Sequence, residues 1–262
     1  MHVRYGFILE STRIALQSIF SHKLRTFLTL LGIIIAVASV VVVGAGIEGL
    51  ETYVMDSVSK TLGSDSFIVA KFAQLGHVSQ EDWEKMVRRN KDIHLSDIPF
   101  IRDYCTACGE IAGEISTTRT LYHGSEEIFG TRVMGATANR VLLGNQTLVE
   151  GRYFVEEEVR RSRFICVIGW DVYERFFDGM DAIGQTVKLG PHPFQVIGVL
   201  EKLGSTFGQS LDNNLHIPIS SYQKIYGGRR SILIRGNAVS RERFDRATQQ
   251  VRTAMRIRHK LG

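Results

Sequence analysis

The hydrophobic positions of this chain fall into three regimes. From Phe27 to Ile47 the run FLTLLGIIIAVASVVVVGAGI is apolar on every side and holds no charged residue. At 1.5 Å per residue, about 21 residues span roughly 30 Å, the thickness of a bilayer's hydrocarbon core, so the run predicts a transmembrane helix. A cleaved signal peptide is the nearest alternative, with Val43-Gly44-Ala45 as a small-residue cleavage site. The long leader and the length of the run favour an uncleaved anchor.

Before the run, residues 4–21 show helical spacing. Glu10, Arg13, Gln17 and Ser21 share one stripe, while Tyr5, Ile8, Leu9, Leu16, Ile19 and Phe20 gather opposite. This predicts an amphipathic helix in the membrane interface or docked on a cytoplasmic partner. After the run, the helical pattern continues to Leu62 with Gly63 as its stop. Phe67–Ala70 then reads as a strand, and Ser79 with Asp82 as a capping box ahead of a helix carrying Trp83, Met86 and Val87 on one face.

From 109 to 218 the pattern switches to period two. Strands are expected at 110–122, 127–135, 163–168, 186–189, 193–200 and 214–218, with turn residues between many of them. The end returns to a strand, Ile232–Ile234, and a helix capped by Ser240 with Phe244, Ala247, Val251 and Ala254 buried. The fold class is α+β: one N-terminal transmembrane helix, then a mixed α/β extracytoplasmic domain. In this reading residues 1–26 are cytoplasmic or interfacial, 27–47 the span and 48–262 the exported domain. Strand–helix units at about 48–105 and 219–262 then flank a β-rich inserted subdomain at about 109–218.

Charge sets the orientation. Arg4, Arg13, Lys23 and Arg25 precede the span, whereas Glu48, Glu51 and Asp56 follow it. Basic flanks stay cytoplasmic, which places the main domain outside. The net charge of +5 is scattered, without the basic and aromatic pattern of a nucleic-acid binder.

Candidate chemistry is sparse. Gly44-x-Gly46-x-x-Gly49 matches a dinucleotide fingerprint, but the apolar run before it is too long for a strand, and Phe67–Ala70 ends on Lys71 rather than an acidic residue. No Gly-x-x-x-x-Gly-Lys-Ser/Thr phosphate loop is present, so ATP hydrolysis by these residues is not expected. Glu156-Glu157-Glu158 beside Arg160, Arg161 and Arg163 reads as a solvated mixed-charge loop. Cys105, Cys108 and Cys166 leave at least one thiol unpaired. The first two could join if oxidised, or all three be incidental, and too few ligands stand at metal spacing for zinc. No catalytic, cofactor-binding or metal-binding residue is assigned. Two faces stand out instead: Glu10, Arg13 and Gln17 as an ATPase-docking face, and Gly32, Ala36 and Ser39 as a small-residue helix-packing face. The segment GSTFGQSLDNN, Gly204–Asn214, has the content of a flexible partner-contacting loop.

Several stretches together carry a resemblance. They are SIFSHKLRTFLTLLGIIIAVASVVVVGAGIEG (18–49), LVEGRYFVEEEV (148–159), FICVIGWDVYERFF (164–177), IGQTVKLGPHPFQVIGVLEKLGSTFG (183–208) and DNNLHIPIS (212–220). In this order and spacing the chain resembles the MacB/FtsX-like family of ABC-transporter permease subunits. The resemblance implies a dimer of permeases in the bacterial inner membrane, a separate or fused ATPase, and a periplasmic domain that relays conformational change to an adaptor or substrate protein. It also implies three further membrane helices, which residues up to Gly262 do not include, so either a fragment of a longer subunit or a truncated protein unable to form the usual four-helix subunit is expected. The alternative is a self-contained, single-pass periplasmic binding or adaptor protein.

Overall fold

An apolar run without a polar stripe has no face to turn to water, and it folds as one long helix. In the computed structural model, which describes residues 13–14, 20–62, 65–72, 80–144, 146–206 and 208–260, helix α1 spans Lys23–Leu62, 40 residues. Its apolar section, Lys23–Leu50, has no residue buried by protein. Side chains such as Leu24 and Val40 are about three-quarters exposed, at 73% and 74%. Such a surface is stable only in contact with lipid or another apolar partner. The hydroxyls within it turn back on the helix: Thr29 Oγ1 donates to Arg25 O at 3.0 Å, and Ser39 Oγ to Ile35 O at 2.8 Å. Gly44, Gly46 and Gly49 all lie inside this helix, so the strand and turn that a dinucleotide site requires are absent there. Most of the amphipathic segment 4–21 lies outside the described residues; Arg13, Ile14, Phe20 and Ser21 are helical.

The chain divides into two compact units, Met1–Asp56 and Ser57–Gly262. The second is built on a nine-stranded sheet, formed by β1 Ser66–Val69, β2 Cys108–His123, β3 Glu126–Ala136, β4 Leu148–Gly151, β5 Ile165–Ile168, β6 Thr186–Leu189, β7 His192–Leu200, β10 Asn214–Pro218 and β11 Leu233–Ala238. The order is β1-β11-β2-β3-β10-β5-β7-β4, and β6 pairs with both β2 and β7. Strands β2, β3, β10, β5, β7 and β6 therefore close into a ring, and β1 and β4 remain as the edge strands outside it.

Strand β2 belongs to two neighbourhoods. Its first half, Cys108 to Glu114, pairs with β11, and its second half, Glu114 to His123, pairs with β3. Where β11 ends, β6 takes the vacated edge at Leu121 and Tyr122. Glu114 thus sits where the pairing changes hands.

Helices cover the apolar side. α3 (Asp97–Tyr104) and α7 (Phe244–His259) pack together over the β2–β11 end. Gly113 admits Ile98, whose Cδ1 would stand 2.9 Å from an added Cβ. α6 (Ile219–Tyr226) lies against β3, with Tyr222 so close to Gly135 that an added Cβ would be 2.5 Å from Tyr222 Cβ. α5 (Trp170–Phe177) packs its Phe177 ring 4.6 Å from that of His123.

The period-two segments fold as strands close to their expected limits. Other expectations need correction. Glu156–Arg160 is not a loop but a short helix, α4, because Glu158 accepts from its own Val155 N at 3.0 Å and Glu157 pairs with Arg160 and Arg161. The segment after Gly204 contains a two-stranded hairpin, β8 (Ser205–Thr206) with β9 (Gln209–Ser210). Asp212 closes its base, accepting from Leu203 N at 2.8 Å and Gly204 N at 2.7 Å. Ser240 precedes a 3-10 turn, Arg241–Arg243, without a side-chain cap, and the final helix starts only at Phe244. Helix α2 is Gln80–Arg89, with Ser79 outside the described residues. Cys105 and Cys108 are not incidental: they form a disulfide joining the end of α3 to the start of β2, while Cys166 is free and buried.

Candidate functional site

Residues opposite one another in a sheet point to the same face. The register places Arg235 beside Ala112, Glu114 beside Ala136, His216 beside Met134 and Asn214 beside Arg132. These side chains therefore share one face, while Ile111, Ile115, Val133, Leu215 and Ile217 face the apolar core on the other. The polar face is itself largely buried. Glu114, Arg140, Asn214, His216 and Arg235 are all enclosed, and burial of such groups demands partners.

Glu114 supplies the central one. Its Oε2 accepts from Arg140 Nε at 2.5 Å, and its Oε1 from Arg235 Nη2 at 3.1 Å. Burial alone would raise the Glu114 pKa, but the two guanidinium groups outweigh it and bring it to about 2. Arg140 reaches Glu114 from the 3-10 turn Ala138–Leu143. That turn is tied to β2 through Thr137, whose N donates to Gly113 O at 3.0 Å and whose Oγ1 accepts from Gly113 N at 3.1 Å. Asn139 completes the anchor, donating to Glu110 Oε2 and to Ile111 O, each at 2.9 Å.

His216 continues the site along β10. Its Nδ1 lies 3.2 Å from the hydroxyl of Tyr153, whose ring stacks on Phe154. Burial, reinforced by the nearby Arg140 charge, lowers the His216 pKa to about 3, so the ring is neutral. Burial likewise pushes the Tyr153 phenol up. Arg140, Asn214, His216 and Arg235 line a cavity of about 90 Å³, with Leu203, Ser210 and Leu211 beside the hairpin and the exposed Arg132 at its margin.

With Glu114 locked as an anion and His216 as a neutral ring, neither is poised to exchange protons near pH 7. The chemistry on offer is charge recognition. Among the described residues no group of three His, Cys, Asp or Glu side chains could hold a metal.

The residues singled out from the sequence lie elsewhere. Arg13 is helical and exposed, Glu10 and Gln17 fall outside the described residues, and Gly32, Ala36 and Ser39 are exposed on α1. The cluster escaped sequence reading, although it left a signal. Glu114 in IAGEIS, His216 in NLHIP and Arg235 in ILIRGN each interrupt an apolar strand with a polar group.

Comparison with known proteins gives the family. The MacB-like periplasmic core domain model matches residues 26–254. The macrolide export ATP-binding/permease protein MacB of Acinetobacter baylyi is 30% identical over 87% of this chain and 34% of its own length. The pyoverdine export ATP-binding/permease protein PvdT of Pseudomonas aeruginosa is 29% identical over 97% of this chain and 36% of its own length. The chain thus spans about a third of the length of the curated relatives it matches. The periplasmic region of MacB from Actinobacillus actinomycetemcomitans superimposes with a TM-score of 0.61 at 19% identity, covering 76% of this chain and 86% of that one. The extracellular domain of the Gram-positive transporter YknZ gives 0.56 at 15% identity over 64% and 85%. A match over residues 26–254, with the fold shared by solved periplasmic domains, means that the chain belongs to the MacB-like periplasmic core domain family.

Proposed function

We propose that the chain is the membrane helix and extracytoplasmic domain of an ABC-exporter permease subunit, relaying ATPase-driven movement across the inner membrane. The observation that carries this reading is the continuity of α1. Its 40 residues span about 60 Å, roughly twice the thickness of a hydrocarbon core. A single unbroken helix can therefore leave the bilayer and still have length to transmit a displacement. The family relatives bear export ATP-binding/permease names, and residues 1–262 contain no phosphate loop, so an ABC ATPase from elsewhere in the subunit or complex supplies the energy.

In this reading residues 1–26 are cytoplasmic or interfacial, 27–47 cross the membrane and 48–262 stand in the periplasm. The basic flank before Phe27 supports that orientation. Glu10, Arg13 and Gln17 meet the ATPase, and Gly32, Ala36 and Ser39 pack against another membrane helix of a homodimer or heterodimer. A periplasmic adaptor or substrate protein receives the movement.

The test is a flexible glycine–serine insertion near Gly63 in the full-length subunit. Export or partner activation should be lost while expression, dimerisation and ATP hydrolysis persist; retained export rules the rigid relay out. Labelling of intact cells should reach a cysteine introduced in the 205–210 hairpin and miss one at Ser11, and the opposite pattern overturns the orientation.

A further inference from the structure

The charges at the cavity are uneven. Arg140 and Arg235 pair directly with one carboxylate, Glu114, and the neutral His216 adds no charge, while the other buried carboxylate, Asp212, is held by the backbone N–H groups of Leu203 and Gly204. Arg132 contributes another cation at the exposed margin. The lining itself therefore carries three arginines and no carboxylate.

The hydrogen-bond donors tell the same story. Nε and Nη1 of Arg235 find no partner among the described residues, and neither does Nε2 of His216. Arg235 is 6% exposed and His216 1%. The Tyr153 phenol is the better donor of its pair, so it donates to Nδ1 and leaves the imidazole hydrogen on Nε2. Three buried N–H groups thus belong to side chains lining one cavity. Oδ1 of Asn213 and Oδ1 of Asn214, also unpartnered, are acceptors on the same lining.

We propose that this cavity binds a small oxyanion of the phosphate class. Nη2 of Arg235 is taken by Glu114, and its free Nε and Nη1 point in different directions, so with His216 Nε2 they present separate donors that the several oxygens of a tetrahedral anion can meet and a single spherical halide cannot. An O–H on the anion suits Asn214 Oδ1, and a halide has none. A volume of about 90 Å³ admits a phosphoryl-sized group and excludes a sugar acid such as gluconate. The bound anion would link β3, β10 and β11 to the hairpin, whose Ser210 and Leu211 also line the cavity.

The test uses the full chain in detergent, with inorganic phosphate titrated against gluconate at constant ionic strength near neutral pH. Calorimetry should show saturable binding of one phosphate per chain, and the thermal midpoint should rise in step with occupancy. Chloride should bind at least tenfold more weakly. Arg132→Glu, exposed and therefore foldable, should weaken phosphate binding by tenfold or more, and Arg235→Gln should abolish it. If Arg235→Gln fails to fold, Arg132→Glu decides alone. Glycerol 3-phosphate binding as well as phosphate would identify a phosphomonoester on a larger molecule; its exclusion would identify the free anion. No saturable binding, equal affinity for chloride, or unchanged affinity in Arg132→Glu overturns the site. These readouts involve no export, so they are independent of the relay.

Discussion

Asp97 Oδ2 and His259 Nε2 meet at 3.1 Å across 162 positions of sequence, joining the first turn of α3 to the last turn of α7. Arg258 Nε donates to the other carboxylate oxygen at 3.1 Å, and His94 N to Oδ2 at 2.9 Å. One buried carboxylate therefore fastens the last turn of the final helix to the domain.

Asp97→Asn should cost about 1.5–3 kcal/mol, the usual range for hydrogen bonds to a charged group. Burial raises the Asp97 pKa, but the bonds from His94, Arg258 and His259 outweigh it and leave it lowered. A lowered carboxylate stabilises the fold above its unfolded pKa, and that stability fades as pH falls through the folded value. Urea midpoints measured for both proteins across acid pH should therefore converge at the acid end.

Glu114→Gln should be more damaging, at about 3–5 kcal/mol, because it leaves Arg140 and Arg235 buried without their counter-ion. The sign with pH is the same. With a folded pKa of about 2 against an ordinary 4.5, the contribution is complete above pH 4.5 and declines from there towards 2. Equilibrium unfolding of the variant tests the magnitude, and a cost below about 1 kcal/mol would contradict a charged triad.

His216 should set an earlier acid loss. Its folded pKa is about 3 and its ordinary one 6.5, so below pH 6.5 the unfolded chain takes up a proton that the folded chain refuses. Stability should decline from pH 6.5 towards 3. In His216→Asn, thermal midpoints should lie lower at neutral pH and be flat between pH 6.5 and 4.5, where the wild type slopes.

Thiol counting checks the cysteines. Cys105 and Cys108 are joined and Cys166 is buried, so a maleimide should modify none in the native chain. It should modify one after denaturation, and three after denaturation and reduction. The bridge fits an oxidising compartment.

Much of the fold was legible because it rests on local periodicity. Apolar uniformity marked α1, and alternation marked β2, β3, β7 and β10 within a few residues. The short helices α3, α5 and α6 were missed, since eight residues give barely two turns of pattern. The hairpin at 205–210 depends on Asp212 reaching back to Leu203 and Gly204, a contact that composition does not encode. The charged cluster joins β2, β11 and a turn after β3, so its parts are distant in sequence. Each interruption of a strand by Glu114, His216 or Arg235 was visible alone; what was not visible was that they meet.

The pairing of β1 with β11 has a temporal consequence. Phe67 faces Gly236 and Val69 faces Ile234, so β1 must wait for the whole β-rich middle to be synthesised before its partner exists. Such non-local pairing is slow, and an unpaired apolar strand left open during synthesis invites aggregation. The ring of strands between them can close on its own contacts in the meantime. Assembly is then ordered: the middle matures first, and the β1 edge of the sheet seals last.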